Sequence, residues 1–480
     1  MSSDYLILPH SFRRLGGDRV LLVNYAGDFN FLRDANFKQF INHGLNRGDD
    51  LTSDLESKGF LSFTDHDLAV NLASIKYRTR KAFLKNFTSL HMMVVTVRCN
   101  QKCEYCQVSC EGEEALQYDM DVNTSRKIVD FIFNSPNKNI KIEFQGGEPL
   151  LNWDVIQAVV EYAKEKNIVA RKDLSLVICT NLTLMTPEKL AYIKSENIKI
   201  STSLDGPASI HDHNRKLRTL KSSHELFAER LRDCSCRGVP VSALMTTTRK
   251  SLKYFPQIVD EYMSKGFEGI FFRPLNPYGF AHERIEEIGY SPNEFIQAYR
   301  SGLDYIIEKN KAGQYFVEYY AQLLLTRILT SYPTGFVDLQ SPAGAGISGV
   351  IYDYNGDVYP SDEGRMLSRM GDYHFRLGNV CQDKYVDVFN GEKLKRIVTD
   401  SCIETTPSCA WCAYQVYCGV DPVRNYLETG DVVGFRPGSF FCDMHLALFD
   451  MLFDMIAKAD PNDLDVFWSW VIPKKANKDA

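Results

Sequence analysis

Long apolar runs and an excess of basic residues are both missing from this 480-residue chain. Its longest apolar runs, such as residues 92–97, have the length of a strand and are far too short to cross a bilayer. Residues 1–4 lack the charged stretch and apolar core that begin a secretory signal. The formal net charge of -6 argues against a general nucleic-acid binder, which needs a basic surface. We therefore expect a cytoplasmic protein that engages neither membranes nor nucleic acids.

The thirteen cysteines are unevenly distributed along the chain. Four lie between positions 99 and 110, and five lie between 402 and 442. In a large intracellular chain, closely spaced cysteines bind metal more often than they form disulfides. The remaining four are expected to be small buried apolar residues: Cys179, Cys234, Cys236 and Cys381.

The chain length predicts about two to four domains, of which residues 1–85 form the first. Apolar and turn-forming residues predict strands at 19–24 and 29–32, joined by a tight turn. Short helices are predicted at 36–45 and 51–58. A hairpin followed by short helices is the make-up of a winged-helix-like module.

Residues 86–330 alternate between strands and amphipathic helices, which predicts an α/β sheet or partial (β/α)6 barrel with parallel strands. In such barrels the active-site residues lie at the carboxyl ends of the strands. The predicted strands are 92–97, 140–145, 174–180, 198–204, 239–246 and 269–274, and the helices between them include 124–134, 153–165 and 222–237.

Residues 331–480 differ in character from the barrel segment. They begin with a hairpin around Asn355-Gly356, the strongest short hairpin signal. A cysteine-rich, loop-rich stretch follows, and a helix is predicted near 444–457.

The first cysteine cluster comes directly after the first predicted barrel strand, where Cys99, Cys103 and Cys106 are spaced C-x3-C-x2-C. Three thiolates at this spacing can hold one cubane iron–sulfur cluster and leave its fourth iron free to bind a substrate. The alternative is structural zinc, which usually needs four protein ligands. Cys110 is the candidate for that fourth ligand.

Three further motifs follow the ends of the next three predicted strands. Each is an ordinary turn sequence when taken alone, whereas a chance occurrence of all of them in this order at successive strand ends is very unlikely. The motifs are Gly146-Gly147-Glu148, Thr180-Asn181, and Ser203-Leu204-Asp205-Gly206-Pro207 with Arg215 after it.

Together with the cysteines, this combination resembles the radical S-adenosylmethionine (SAM) superfamily. The resemblance implies that the open iron chelates SAM, and that one electron cleaves SAM to methionine and a 5′-deoxyadenosyl radical, which abstracts hydrogen from the substrate. In that family Tyr105 would lie near the adenine, the glycines would expose backbone to the SAM amino group, and Glu148 would accept a hydrogen bond. Ser203 resembles a ribose or carboxylate contact, and Arg215 a carboxylate contact. The cofactor-binding residues implied are Tyr105, Gly146, Gly147, Glu148, Thr180, Asn181, Ser203, Asp205 and Arg215.

The second cysteine cluster comprises Cys409, Cys412, Cys418 and Cys442, with the spacing C-x2-C-x5-C-x23-C. Four thiolates close a metal site completely, so this site would be structural or would relay electrons. A four-cysteine zinc knuckle is the alternative, because such knuckles use similar spacing.

This pattern resembles the SPASM extension of radical SAM enzymes that modify peptides and proteins. SPASM domains often hold two auxiliary clusters, but here Ala343, Ser361 and Pro422 stand where ligands of the second are usual. We therefore expect one auxiliary [4Fe-4S] cluster, with Cys402 an unligated thiol or, as the alternative, an extra or substitute ligand. In sulfatase maturases of this group, an aspartate at the place of Asp362 takes a proton from the substrate, whereas the alternative is a solvated residue at a hairpin end.

The whole chain resembles one lineage, the B-type radical SAM maturase of the His-Xaa-Ser system. The matching segments are 8–9, 19–27 and 418–422. The resemblance implies a substrate peptide or small protein, a second radical SAM maturase as a partner, and an electron donor such as flavodoxin or ferredoxin. Two other functions stay open: an anaerobic sulfatase-maturase-like enzyme that forms formylglycine, and a noncatalytic iron–sulfur or zinc scaffold. Residues 1–85 would bind the substrate peptide or serve only as a cap.

The expected architecture is therefore α/β in three parts. Residues 1–85 form a winged-helix-like recognition module, 86–330 a partial (β/α)6 radical SAM barrel, and 331–480 a cysteine-rich SPASM-like domain with a C-terminal helix.

Overall fold

A computed structural model describes residues 5–64, 66–219 and 221–472. The N-terminal module is built on a three-stranded antiparallel sheet in the order β2-β3-β4, beside which β1 pairs with β5. Its elements are β1 Leu6–Ile7, β2 His10–Arg14, β3 Arg19–Asn24, β4 Phe29–Arg33, α1 Asp34–Ile41, α2 Asp50–Ser57, β5 Leu61–Ser62 and α3 His66–Arg80. The predicted hairpin and its two helices are present, while β2 and α3 had not been predicted. The winged-helix comparison remains a prediction.

Both faces of strand β3 are buried. Successive side chains of a strand point to opposite sides of the sheet, and here each side is covered by a different core. Val20 and Leu22 lie in a small core with Phe40 of α1. Leu21 and Val23 point the other way and belong to the main core of the protein, which includes Phe453. The N-terminal module is therefore packed against the C-terminal region.

The central sheet consists of parallel strands in the order β14-β12-β10-β9-β8-β6, which confirms the predicted partial (β/α)6 barrel. The strands of this segment are β6 Leu90–Thr96, β7 Gln101–Cys103, β8 Asn139–Gly146, β9 Asp173–Cys179, β10 Lys199–Ser203, β11 Arg215–Leu217, β12 Val241–Thr246, β13 Gly269–Ile270, β14 Phe272–Arg273 and β15 Val317–Glu318. The helices are α4 Val122–Phe133, α5 Trp153–Ala170, α6 Pro187–Ser195, α7 Ala208–Asn214, α8 Ser223–Cys236, α9 Phe255–Ser264, α10 Phe280–Glu283, α11 Ile285–Ile288, α12 Pro292–Lys311 and α13 Tyr319–Leu329.

Two predicted strands differ from the observed ones for identifiable reasons. Strand β12 begins at Val241 and not at 239, since the Val239 N–H donates to Cys234 O of the preceding helix and Pro240 has no N–H. The predicted strand 269–274 is split, because β13 pairs with β15 while β14 continues the central sheet.

The C-terminal region extends the same sheet. Strand β16 pairs in parallel with β6, and β17 and β18 follow in antiparallel order, so that nine strands are joined. The elements are β16 Gly349–Tyr352, β17 Asp357–Tyr359, α14 Asp362–Arg369, β18 Gly378–Asn379, α15 Tyr385–Phe389, α16 Glu392–Asp400, α17 Pro407–Ala410, α18 Pro422–Thr429, α19 Phe440–Lys458 and α20 Pro461–Val471. The segments on either side of residue 330 therefore share one sheet.

Three of the four solitary cysteines are not fully buried, contrary to expectation. Cys236, at the end of α8, and Cys381, in the turn after β18, are exposed, whereas Cys234 is buried. Cys179 is partly exposed at the end of β9. Across the residues that the structure describes, no helix combines the length and apolar character needed to span a membrane.

Candidate active site

A single cavity at the carboxyl ends of the central strands brings together most of the residues that the sequence analysis selected. Beyond the ends of β8, β9 and β10, it is lined by the backbone and side chains of the predicted motifs. The predicted residues on its wall are Cys99, Cys103, Tyr105, Cys106, Gly146, Gly147, Thr180, Asn181, Ser203, Arg215 and Asp362. Glu148 and Asp205 are fully buried behind this wall.

The loop that carries Cys99, Cys103 and Cys106 is fixed by backbone hydrogen bonds. The Cys99 N–H donates to Glu111 O and the Glu111 N–H donates to Val97 O, each at 3.0 Å. Cys103 is held by the pairing of β7 with β11, and Cys106 O accepts from Phe280 N at 2.9 Å. The three thiols are thus positioned by the protein backbone itself.

Cys110 lies beside this trio, with its Sγ 3.3 Å from that of Cys106. The hydrogen bond between Cys106 and Cys110 lowers the pKa of Cys106, and burial raises the pKa of Cys103. The thiol that a four-ligand zinc site would need is therefore close to those of Cys106 and Cys99. Among the described residues, however, no three Cys, His, Asp or Glu side chains are grouped closely enough to hold one metal ion.

Arg365 provides a test of whether this site suits an anionic cluster. Its side chain is buried, and its Nε and Nη1 have no hydrogen-bond partner in the described structure. Asp362 and Asp353 carboxylate oxygens lie 3.5 and 3.6 Å away, outside good hydrogen-bond range. After the hydrogen bond with Cys110, the charge of Arg365 also contributes to lowering the pKa of Cys106. A buried guanidinium with free donors fits an iron–sulfur cluster held by thiolates.

The two glycines at the end of β8, Gly146 and Gly147, are required because two backbones approach each other closely. Gly147 N donates to Thr96 O at 2.9 Å, and a Cβ at Gly147 would lie 2.2 Å from Arg98 O. Gly146 has φ of 155°, and a Cβ there would lie 2.1 Å from Thr96 O. Any larger residue would push the cysteine loop away from the end of β8.

Glu148 supports the next strand end from behind. Its Oε1 accepts from the Thr180 hydroxyl at 2.6 Å and from Leu150 N at 3.1 Å, and its Oε2 accepts from Asn181 N at 2.8 Å. Burial raises the pKa of Glu148. The carboxylate is therefore used to position the cavity-lining Thr180 and Asn181.

Asp205 has the same role for the other side of the cavity. It accepts a hydrogen bond from the Tyr105 hydroxyl at 2.6 Å, and the Arg215 Nε lies 3.2 Å from its Oδ1. The Arg215 guanidinium carbon is 5.2 Å from the centre of the Tyr105 ring. One buried carboxylate thus orients an aromatic ring and a cation that both face the cavity.

Asp362 reaches this cavity from the C-terminal region as the first residue of α14. Its Oδ1 is buried and has no hydrogen-bond partner in the described structure. The preceding residue, Ser361, caps the helix by accepting a hydrogen bond from Gly364 N at 3.3 Å. Ala343 lies in an apolar cluster and Pro422 begins α18, so all three expected ligand positions of a second auxiliary site serve other purposes.

The four cysteines of the second cluster lie near one another. Burial, and then the neighbouring thiols Cys412, Cys409 and Cys442, raise the pKa of Cys418 to about 12. Burial followed by Cys409 and Cys412 raises that of Cys442 to about 11. Cys442 stands in the first turn of α19, whose cap Ser439 accepts a hydrogen bond from Cys442 N. Cys402 lies near Glu404 and Lys81.

The cavity also contains polar residues that the sequence analysis missed. Glu143 lies 2.6 Å from Lys141 Nζ, accepts a hydrogen bond from Gln145 at 2.8 Å, and is 3.2 Å from the Cys179 sulfur. Burial raises the pKa of Glu143, but Lys141 and the hydrogen bonds outweigh this effect and lower it. The available signal was the polar pair Glu143 and Gln145 at spacing two within a central buried strand.

The sequence comparisons agree with this geometry. The family model of the Radical SAM superfamily matches residues 93–261. The uncharacterized protein MJ0907 of Methanocaldococcus jannaschii is 30% identical over 224 residues, which cover 47% of this chain and 71% of that protein. The cysteine-type anaerobic sulfatase-maturating enzyme of Clostridium novyi is 23% identical over 349 residues, 70% of this chain and 88% of that enzyme.

Two solved structures share the fold. The enzyme anSMEcpe, with bound AdoMet and the Cp18Cys peptide, aligns with a TM-score of 0.66 at 18% identity, over 80% of this chain and 99% of that one. Streptococcus suis SuiB, bound to its precursor peptide SuiA, aligns with a TM-score of 0.54 at 15% identity, over 90% and 99% of the two chains.

Glu148→Ala should lower the stability of the protein as well as its affinity for SAM. The change leaves the buried donors of Leu150 and Thr180 and the partly buried N–H of Asn181 without their acceptor, at about 1–3 kcal/mol for each buried unsatisfied group. Urea denaturation and SAM calorimetry on the same preparation measure both effects, with Glu148→Gln as the control that keeps the shape. A loss of SAM affinity at unchanged stability would contradict the positioning role and indicate direct contact.

Proposed function

We propose that this chain, which belongs to the radical SAM superfamily, cleaves SAM reductively and uses the resulting radical to modify a ribosomally made peptide. The observation that carries this proposal is the shared cavity. It places three cysteines of one loop, the SAM-motif residues of three strands and Asp362 of the C-terminal region around one space. A [4Fe-4S] cluster bound at Cys99, Cys103 and Cys106 would supply the electron that cleaves SAM to methionine and a 5′-deoxyadenosyl radical.

The surrounding residues bind and orient the cofactor. Tyr105 offers an aromatic face and Arg215 a positive charge, and Asp205 holds both in place. Asn181 and Ser203 present polar groups from the ends of neighbouring strands. Because these groups are anchored from behind, SAM would meet a preformed surface.

A peptide substrate is supported by the kinds of protein that share this fold. Both solved relatives were determined with a peptide bound. The finer proposal is a maturase of the His-Xaa-Ser system, based on the motifs in residues 8–9, 19–27 and 418–422. Such an enzyme would work in the cytoplasm with a second radical SAM protein and an electron donor such as flavodoxin or ferredoxin.

A sulfatase-maturase-like activity is the second candidate. It is favoured by the Clostridium novyi relative and by the position of Asp362 in the cavity. Incubation with a His-Xaa-Ser precursor and, separately, with a sulfatase peptide containing Cys or Ser distinguishes the two, since mass spectrometry detects formylglycine only from the latter. A noncatalytic scaffold would modify neither peptide and would not cleave SAM.

The C-terminal region would hold one auxiliary [4Fe-4S] cluster on Cys409, Cys412, Cys418 and Cys442. The helix cap at Ser361 and the apolar packing of Ala343 support a single cluster. This site would be saturated by protein ligands and would relay electrons or stabilise the region, with a zinc knuckle as its alternative.

We further propose that the chain consists of three units, residues 1–85, 86–330 and 331–480. The first of these units would capture the precursor peptide. Strand β2 pairs with β3 alone among the described strands, so that its other edge is open. The Leu15 N–H donates to Arg19 O, and antiparallel bonding alternates, so the N–H of Phe12 points to the open edge. An extended peptide could pair there as an added strand. The SuiB alignment covers 90% of the chain and therefore includes part of this module.

Replacing Cys99, Cys103 and Cys106 with Ala should abolish 5′-deoxyadenosine formation with dithionite as reductant. Iron should fall from about eight to about four atoms per chain, because one of two cubane clusters is lost. Cys381→Ala, at an exposed thiol, is the matched control and should behave as the parent. Undiminished SAM cleavage in the triple variant would contradict the assignment of Cys99, Cys103 and Cys106 as cluster ligands. Four iron atoms and one zinc atom in the parent protein would favour a zinc knuckle at the second cysteine cluster.

Asp362→Asn should permit SAM cleavage but stop peptide modification. The amide keeps the shape of the side chain and cannot act as a general base. Parallel assays of 5′-deoxyadenosine and of peptide mass measure the two activities separately. If the peptide is modified at the parent rate, Asp362 is only the first residue of its helix.

Phe12→Pro should weaken binding of a labelled His-Xaa-Ser precursor at least tenfold. Proline removes the outward N–H without breaking a β2–β3 hydrogen bond. Phe12→Ala is the matched control, since it removes the same side chain, including its packing on Phe37, and keeps the N–H. Fluorescence anisotropy on the full chain gives both affinities, and equal values for the two variants would show that no strand is added at this edge.

A further inference from the structure

Arg436 lies beside the second cysteine cluster and is almost completely buried, with 5% of its surface exposed. Its Nη1 is 3.7 Å from the sulfur of Cys409, within reach of a long N–H···S hydrogen bond. Its Nε and Nη2 are also buried and have no hydrogen-bond partner in the described residues. The side chain thus offers several donors and uses only one of them.

Arg436 forms no ion pair with a carboxylate in the part of the chain that the structure describes. Two other cations near this cluster differ from Arg436. Arg13 forms an ion pair with Asp450 at 2.5 Å, and Arg327 donates hydrogen bonds to the backbone oxygens of Tyr417 and Cys418. Burying an unpaired guanidinium is costly, since it loses hydration without gaining a partner. The surroundings of Arg436 are therefore suited to an anion, and a metal centre bound by the four cysteine thiolates would supply one.

A metal centre held by four thiolates is such an anion. Cys409, Cys412, Cys418 and Cys442 are all partly buried. Metal binding deprotonates the ligating thiols and so concentrates negative charge next to the guanidinium. A cubane cluster also carries inorganic sulfides, which are further acceptors for N–H groups and absent from a zinc site.

We infer that Arg436 is the hydrogen-bond donor and counter-charge of the auxiliary cluster and sets its reduction potential. The inference rests on the proposed auxiliary cluster. Reduction adds an electron to an already anionic centre, and a nearby positive charge with N–H···S hydrogen bonds stabilises that reduced form more than the oxidised form. Arg436 is a positioning and tuning residue, because it acts through Cys409 and the cluster and does not touch the substrate.

The test isolates the auxiliary cluster in the full chain by replacing Cys99, Cys103 and Cys106 with Ala. Iron and zinc are quantified after anaerobic reconstitution, and the midpoint potential is measured by a redox titration followed by electron paramagnetic resonance. In this background Arg436→Gln should shift the midpoint to a more negative value at unchanged iron content. Arg436→Lys should shift it less, because lysine keeps the charge but not the planar fork of donors.

Arg396→Gln is the matched control, since the side chain of Arg396 is 84% exposed. Its midpoint should equal that of the background. Equal midpoints for the background and for Arg436→Gln, with full iron content in both, would overturn the role of Arg436 alone. Zinc without iron in the background would overturn the auxiliary cluster itself, and the inference with it. If Arg436→Gln fails to load, the Arg436→Lys midpoint decides: a negative shift supports the inference, and the background value overturns it.

Discussion

The parallel pairing of β6 with its neighbours on both sides is the constraint on which the site depends. On one side β8 ends in two glycines that allow its backbone to meet Thr96 and Arg98, and this contact fixes the start of the cysteine loop. On the other side β16 starts the hairpin that delivers Asp362 to the same cavity. The carboxyl ends of β6, β8, β9 and β10 meet at one edge because these strands run in parallel, whereas Asp362 follows the antiparallel strand β17 and enters the cavity at the start of α14. Residues more than 250 positions apart are thereby brought around one space.

Buried charged residues behind the cavity wall hold the cavity-lining side chains in fixed positions. Glu148 and Asp205 are each fully buried, and each holds two residues that line the cavity. Arg365 and Arg436 are buried cations with unused donors beside the two cysteine clusters. The carboxylates are satisfied by the protein, while the arginines are not. This contrast separates groups that organise the fold from groups suited to an anionic occupant.

Most of the sheet and most of the cavity wall could be predicted from the sequence, because strand periodicity and strand-end motifs are local signals. The orientation of Glu148 could not be predicted from the sequence, since the carboxylate of a residue that follows two glycines can face either a ligand or a neighbouring turn. The pairing of β16 with β6 was equally inaccessible, because it joins segments far apart in the chain and leaves no periodic trace. Exposure of Cys236 and Cys381 depends on which face of a helix or turn they occupy, which composition does not reveal.

Helix α19 links the two regions on which a peptide-modifying function would depend. Cys442 stands in its first turn, and Phe453 lies three turns later against Phe29 and Phe31 of the N-terminal sheet. At 1.5 Å per residue these positions are about 16 Å apart along the axis. Asp450, between them, binds Arg13 of β2 and accepts a hydrogen bond from Tyr414, two residues beyond Cys412. A peptide paired with β2 would therefore contact a strand that is anchored through Asp450 to the helix that carries Cys442. Any shift of that strand on binding would be transmitted to α19, which carries the thiol of Cys442.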